Sequence, residues 1–275
     1  MAENISENKQ ETAASEAKPQ NRHVPFSVVE AYKTVRTNLS FLQTATNSKI
    51  ITFTSPEASD GKSTTSVNVA IAFAQLGKKT LLIDADLRKC SIHKKLKIES
   101  APGLSNVLAG MCSFDEAVKH TATSLDVLTA GQIPPNPSEL LSSTNFKNLL
   151  ESAEKEYDHI IVDTPPINIV SDALIVGAAT GAIVLIIKEG FSTTDAVAHA
   201  ISAAEFANIQ ILGVVMNGVN SSGKKYGIGH YKKYGYKYKS RYGYGYGYGY
   251  GYGYGYGYGY SSNPDKSKDA KNAKK

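Results

Sequence analysis

Residues 49–66 read KIITFTSPEASDGKSTTS, and this stretch changes character twice in a way that decides the fold. KIITFTS (49–55) is apolar and β-branched, the pattern of a buried strand. STTSVNVAIAFAQLG (63–77) sets Val67, Ala70, Ile71 and Ala74 at helical spacing and stops at Gly77. Between them, SPEASDGKST (55–64) carries Gly-Lys-Ser, the second half of a phosphate-binding loop. In such a loop, backbone N–H groups and the positive end of the helix cradle phosphate oxygens. Lys62 is placed to reach the β- and γ-phosphates, and Ser63 to set its hydroxyl on Mg²⁺. The usual leading glycine is absent, and Pro56 stands in its place.

The alternation continues on both sides. FSVVEAYKTVRTNLSFLQTATNS (26–48) is an amphipathic helix by its spacing, and KTLLIDAD (79–86) a second buried strand. Residues 102–110 and 113–120 predict short helices, and LDVLTAG (125–131) a strand. Residues 138–157 predict one helix with Ser138 as N-cap. HIIVDTPP (159–166) is a strand ended by two prolines. A helix over 171–180, a strand over 182–188, a Ser- or Thr-capped helix over 192–209 and a strand over 211–217 follow. Near-continuous apolar strands alternating with helices predict a mostly parallel sheet covered on both faces.

Acidic residues stand at two strand ends. Asp84 and Asp86 lie two apart, on one face of their predicted strand, and Asp163 ends the other. In open α/β sheets the carboxyl ends of strands border the ligand crevice. Asp163 therefore reads as the carboxylate that holds Mg²⁺ through water. With the Gly-Lys-Ser turn, the three acids compose one Mg-nucleotide site.

Composition narrows the rest. The 275 residues contain no long apolar run, and MAENISENKQETAASEAK has no secretory core. Cys90 and Cys112 have no zinc spacing, and the six histidines are scattered. The net charge of +5 is unevenly spread: residues 1–220 hold 18 Lys and Arg against 23 Asp and Glu, residues 221–275 hold 12 against 2. Fifteen of the 17 tyrosines fall in that basic tail. Tyr242, Tyr244, Tyr246, Tyr248, Tyr250, Tyr252, Tyr254, Tyr256, Tyr258 and Tyr260 alternate with glycine. Glycine at every second place raises the entropy cost of order, so the tail is expected to be flexible, with an r.m.s. span of about 37–45 Å. The expected division is a disordered lead (1–25), a catalytic domain (26–220) and this tail (221–275).

At these residues the chain resembles the bacterial tyrosine kinases, the cytoplasmic kinases of capsule and exopolysaccharide operons. The resemblance covers roughly residues 26–220 and extends to the tail. Asp84-Ala85-Asp86-Leu87-Arg88 is similar to the family's additional Walker A′ motif, and GLSNVL (103–108) and QIPPNPSELL (132–141) match its habitual segments. EAYKTVR (30–36) resembles the Glu-x-x-Arg-x-x-Arg helix that builds rings, with Lys33 in place of the first arginine. Ala58-Ser59 stands where relatives usually have Pro-Gly. The resemblance implies an α/β, P-loop NTPase-like fold and a non-specific protein-tyrosine kinase using ATP and Mg²⁺. It implies catalytic roles for Lys62, Asp84 and Asp86, with Asp84 deprotonating or orienting the tyrosine hydroxyl. Ser59, Asp60, Gly61, Lys62, Ser63, Thr64, Arg88 and Asn217 are expected at the nucleotide, and Ser63, Asp86 and Asp163 at the metal. The ten repeat tyrosines are the expected autophosphorylation sites, and Glu30, Lys33 and Arg36 the oligomerisation residues.

The expected setting is a cytoplasmic ring-forming homo-oligomer, recruited to the inner face of the membrane by a transmembrane polysaccharide co-polymerase-like adaptor. Such an enzyme acts on other protein substrates, is reversed by a tyrosine phosphatase and binds no nucleic acid. The competing reading is a non-kinase ATPase switch of the partition or cell-division type. Those carry an early loop lysine near Glu57, and no lysine lies between Ser55 and Gly61 here. A structural role for the Tyr-Gly repeat is compatible with the kinase reading as an addition.

Overall fold

The computed structural model describes residues 25–219. They belong to the first of two units, Met1–Ser222; the second, Gly223–Lys275, carries the expected tyrosine tail and lies outside the described residues. The elements in order are α1 (Phe26–Thr46), β1 (Ile50–Thr54), α2 (Lys62–Ala74), β2 (Thr80–Asp84), α3 (Ile92–Leu96), α4 (Leu104–Leu108), α5 (Phe114–Ala117), β3 (Val118–His120), β4 (Leu125–Leu128), α6 (Pro137–Ser142), α7 (Thr144–Glu156), β5 (His159–Asp163), α8 (Asp172–Thr180), β6 (Ala182–Lys188), α9 (Thr194–Phe206) and β7 (Gln210–Asn217).

The seven strands form one sheet in the order β3-β4-β2-β5-β1-β6-β7, parallel except for β3. Alternate residues of each central strand feed opposite faces. Leu81, Ile83, Ile160 and Val162 pack with Leu104, Phe146, Leu149 and Leu150 on one face. Leu82, Ile161, Ile51 and Phe53 pack with Val67, Val69, Phe73 and Leu39 on the other. Both faces are therefore dry, which is why these strands read as unbroken apolar runs. Among the described residues, no helix is long and apolar enough to cross a membrane.

Register places the chemistry. Phe53 of β1 lies beside Asp163 of β5, and Asp163 lies beside Asp84 of β2. The tips of three adjacent strands thus end together, under the loop that leads into α2.

Three local expectations are corrected. The helix expected over 113–120 stops at Ala117, where Val118 turns extended and pairs antiparallel with Leu128. The helix expected over 138–157 breaks at Ser143 (ψ 157°), whose hydroxyl accepts from the Phe146 N–H and starts α7. Ser138 is consequently not a cap; its hydroxyl donates to Asp172 Oδ1 at 2.7 Å. The short helix α3 was not anticipated.

Candidate phosphate-binding and phosphotransfer site

The loop between β1 and α2 is held from within. Asp60, almost fully buried, accepts from the Glu57 N–H at 3.0 Å with one oxygen and from the Ser192 hydroxyl at 2.7 Å with the other. Its carboxylate is thus spent on loop shape, and only its backbone is left for phosphate. Gly61 has φ 93°, and a Cβ there would lie 1.8 Å from Asn217 Nδ2, so only glycine fits. Ser59 has φ 74° without being glycine. Ser59, Gly61, Lys62, Ser63 and Thr64 line a cleft of about 450 Å³, together with Asp86.

Lys62 joins the loop to the acids. Its Nζ donates to Asp163 Oδ2 at 3.0 Å and to Ser63 Oγ at 3.1 Å, and lies 3.8 Å from Asp86 Oδ2. Asp163 also accepts from the Ser66 hydroxyl at 2.8 Å. Asp84 is fully buried and accepts from the backbone N–H groups of Asp86 and Ile92. Strand β2 ends at Asp84, so Asp86 stands on the loop beyond it rather than on the shared strand face expected. Asp86 still lies beside Lys62, and the charge of that lysine also reaches Asp84.

Burial, and next the neighbouring Asp163, push the Asp84 carboxyl up to about 8, with Lys62 pulling the other way. Asp86 and Asp163 set against one ammonium leave the site short of positive charge. Their hard oxygens, with the Ser63 hydroxyl, are the donor type that Mg²⁺ prefers. Among the described residues, no three acidic, histidine or cysteine side chains close into a metal cage. Mg²⁺ needs none, since it is usually held by one or two carboxylates, water and the phosphates themselves. The residues therefore fit the ion.

Other expected residues take different places. The Arg88 guanidinium grips Asp172 through Nε at 2.8 Å and Nη2 at 3.0 Å, and Nη2 also donates to Ser138. Burial alone raises the Asp172 carboxyl, but the hydrogen bonds from Arg88 and Ser138 outweigh it and hold the group below its usual range. Arg88 is absent from the lining of the phosphate-loop cleft among the described residues; Lys89 and Lys95 are there instead, and Lys95 Nζ donates to Thr64 Oγ1 at 2.9 Å. Asn217 donates to the Asp60 carbonyl at 3.0 Å, which sets it against the loop backbone. On α1, Glu30 and Lys33 pair with each other at 2.8 Å, while Arg36 turns inward to the Ala72 carbonyl at 3.1 Å. The ten repeat tyrosines lie outside the described residues.

Sequence reasoning missed Ser66, Lys89, Lys95, Asp172 and Ser192. Ser66 had one available signal: it stands one helical turn after Lys62, so it faces the same strand tip.

Comparison with known proteins bears on the same region. The family described as "AAA domain" matches residues 48–205. Tyrosine-protein kinase YwqD of Bacillus subtilis (strain 168) is 43% identical over 208 residues, covering 75% of this chain and 85% of the relative. Tyrosine-protein kinase etk of Escherichia coli (strain K12) is 36% identical over 215 residues, covering 75% of this chain but only 30% of that longer protein. Among solved structures, the kinase domain of E. coli ETK superposes with a TM-score of 0.70 at 36% identity, over 76% of this chain and 87% of that one. The Pyrococcus horikoshii septum site-determining protein MinD complexed with Mg-ADP shares the fold at 22% identity and a TM-score of 0.53, over 62% and 70% of the two chains.

Proposed function

The chain belongs to the bacterial tyrosine-protein kinases, and from that premise we propose that it transfers the γ-phosphoryl group of Mg-ATP to tyrosine hydroxyls, those of its own Tyr-Gly repeat first. The observation that carries this is the meeting of Lys62 with Asp163, Asp86 and Ser63, next to the buried Asp84. Lys62 exchanges its carboxylate contacts for the β- and γ-phosphates, and loop N–H groups hold the same oxygens. Mg²⁺ would be held by Ser63, Asp86 and Asp163 and would supply neutralising charge to the phosphates. The tyrosine oxygen bonds to the γ-phosphorus as the bond to the β,γ-bridging oxygen breaks, and ADP leaves. The ionised fraction of Asp84, which grows as pH rises toward about 8, takes the phenolic proton. A phenol with a pKa near 10 needs such a base near neutral pH, and a carboxyl raised by burial is well matched to it.

The proposal extends to the whole protein's setting: a cytoplasmic ring-forming kinase of capsule or exopolysaccharide synthesis, activated by a membrane adaptor and reversed by a phosphatase. The roles of Ser59, Thr64, Arg88, Asn217, Glu30, Lys33 and Arg36 in nucleotide binding and assembly are part of it.

Wild type and Lys62→Met, incubated with ATP and Mg²⁺ and mapped for phosphotyrosine by mass spectrometry, test the chemistry. Phosphotyrosine is expected across Tyr242–Tyr260 in wild type and reduced at least about a hundredfold in the variant. Equal labelling of the two proteins overturns the assignment.

A further inference from the structure

The cleft at the phosphate loop has a neighbour. Lys89 and Ser91 line both it and a second cleft of about 590 Å³, so the two lie side by side. Arg88, His93, Lys94 and Ile133 are among the other residues that line the second cleft. Arg88 is neutralised by Asp172. Among the described residues, however, no carboxylate pairs with Lys89 or Lys94, and no Asp or Glu lines the cleft. The Nδ1 atom of His93 is buried without a hydrogen-bond partner. Ile133 stands two-thirds exposed and offers an apolar surface. The combination suits a ligand with an anionic end and an apolar body.

The tail as synthesised is a poor match, because residues 221–275 carry 12 basic and 2 acidic residues. Phosphorylation changes that. Each phosphotyrosine carries about −1.5 to −2 charges on an aromatic ring. In an extended Tyr-Gly repeat, successive tyrosines lie about 7 Å apart on one side of the chain. Two clefts that share Lys89 and Ser91 suit neighbouring side chains of such a repeat.

We propose that this second cleft binds a phosphotyrosine of the Tyr-Gly repeat of another copy of the chain, and thereby presents an adjacent unmodified tyrosine to the phosphotransfer site. The proposal rests on the kinase reading for its purpose, but the binding is a separate matter. Lys89 and Lys94 hold the phosphate, and Ile133 covers the aromatic ring. The first transfer to a tail is then slow and later ones faster, since each product becomes the handle for the next substrate.

The test is fluorescence anisotropy with labelled Gly-Tyr repeat peptides added to full-length Lys62→Met protein, whose tail is free of phosphate. One peptide carries a single phosphotyrosine, one is unmodified, and one has glutamate at that position. The phosphopeptide is expected to bind at least about tenfold tighter than the other two. Lys94→Glu in the same background is expected to erase the difference while nucleotide binding is unchanged, which shows that the variant is folded. Equal affinities for the phosphorylated and unmodified peptides, a preference that survives Lys94→Glu, or an equally tight glutamate peptide overturns the proposal. Because the protein used cannot transfer phosphate, the outcome is independent of whether the kinase reading stands.

Discussion

Asp84 is a carboxyl that the folded chain prefers to keep protonated. Its value of about 8 lies above the 3.9 or so of an unfolded aspartate, so between those values the folded state binds the extra proton. The stability it confers is complete below about pH 4 and is lost as pH rises to about 8. The urea midpoint of the nucleotide-free protein is therefore expected to fall between pH 5 and 8.5, and Asp84→Asn to flatten that decline. Ser59 gives a second prediction. A left-handed backbone costs a non-glycine residue about 1–2 kcal/mol, partly offset by the extra unfolded entropy of glycine. Ser59 is exposed, so Ser59→Gly loses no packing and is expected to stabilise the chain by about 0.5 kcal/mol, whereas Ser59→Val lowers the urea midpoint. Lys62, Asp84, Asp86 and Asp163 were legible because apolar periodicity marks strand ends, and acids at such ends have few structural reasons to be there. The partners Ser66 and Ser192 were not, since they meet their aspartates across 97 and 132 residues of sequence.

Among the elements, the loop after β2 shows how one ion pair organises a neighbourhood. Arg88 ties that loop to Asp172 at the start of α8 and to Ser138 in α6. Asp172 is fully buried while the guanidinium is 40% exposed. Arg88→Met strands a buried carboxylate, for an expected loss of about 2–3 kcal/mol in chemical denaturation, less than for a wholly buried pair. Calorimetric affinity for ATP is expected to weaken as well, because the loosened loop carries Asp86. The strand-helix alternation was readable through most of the chain, and its failures have separate causes. Ser113 and Glu116 do start a helix with a capping box, but β4 offers Val118 backbone partners that no local pattern records. The hydroxyl of Ser143 interrupts a run whose apolar spacing continues through the break.

At the scale of the molecule, six parallel strands bring the loop, the lysine and the acids to one end of the sheet, while the repeat tyrosines follow the last strand in sequence. Chain cut after Asn220 is expected to keep its ATP affinity within about twofold and to lose nearly all phosphotyrosine, measured by calorimetry and mass spectrometry. Strong residual labelling places the acceptors elsewhere. The position of the cut is instructive. Asn217 is the final residue of β7, and its amide clasps the Asp60 carbonyl across 157 positions. The chain thus leaves the sheet from a point already fastened to the cradle of the nucleotide. The final strand of the sheet thereby acts as a buttress, stiffening the very loop it clasps.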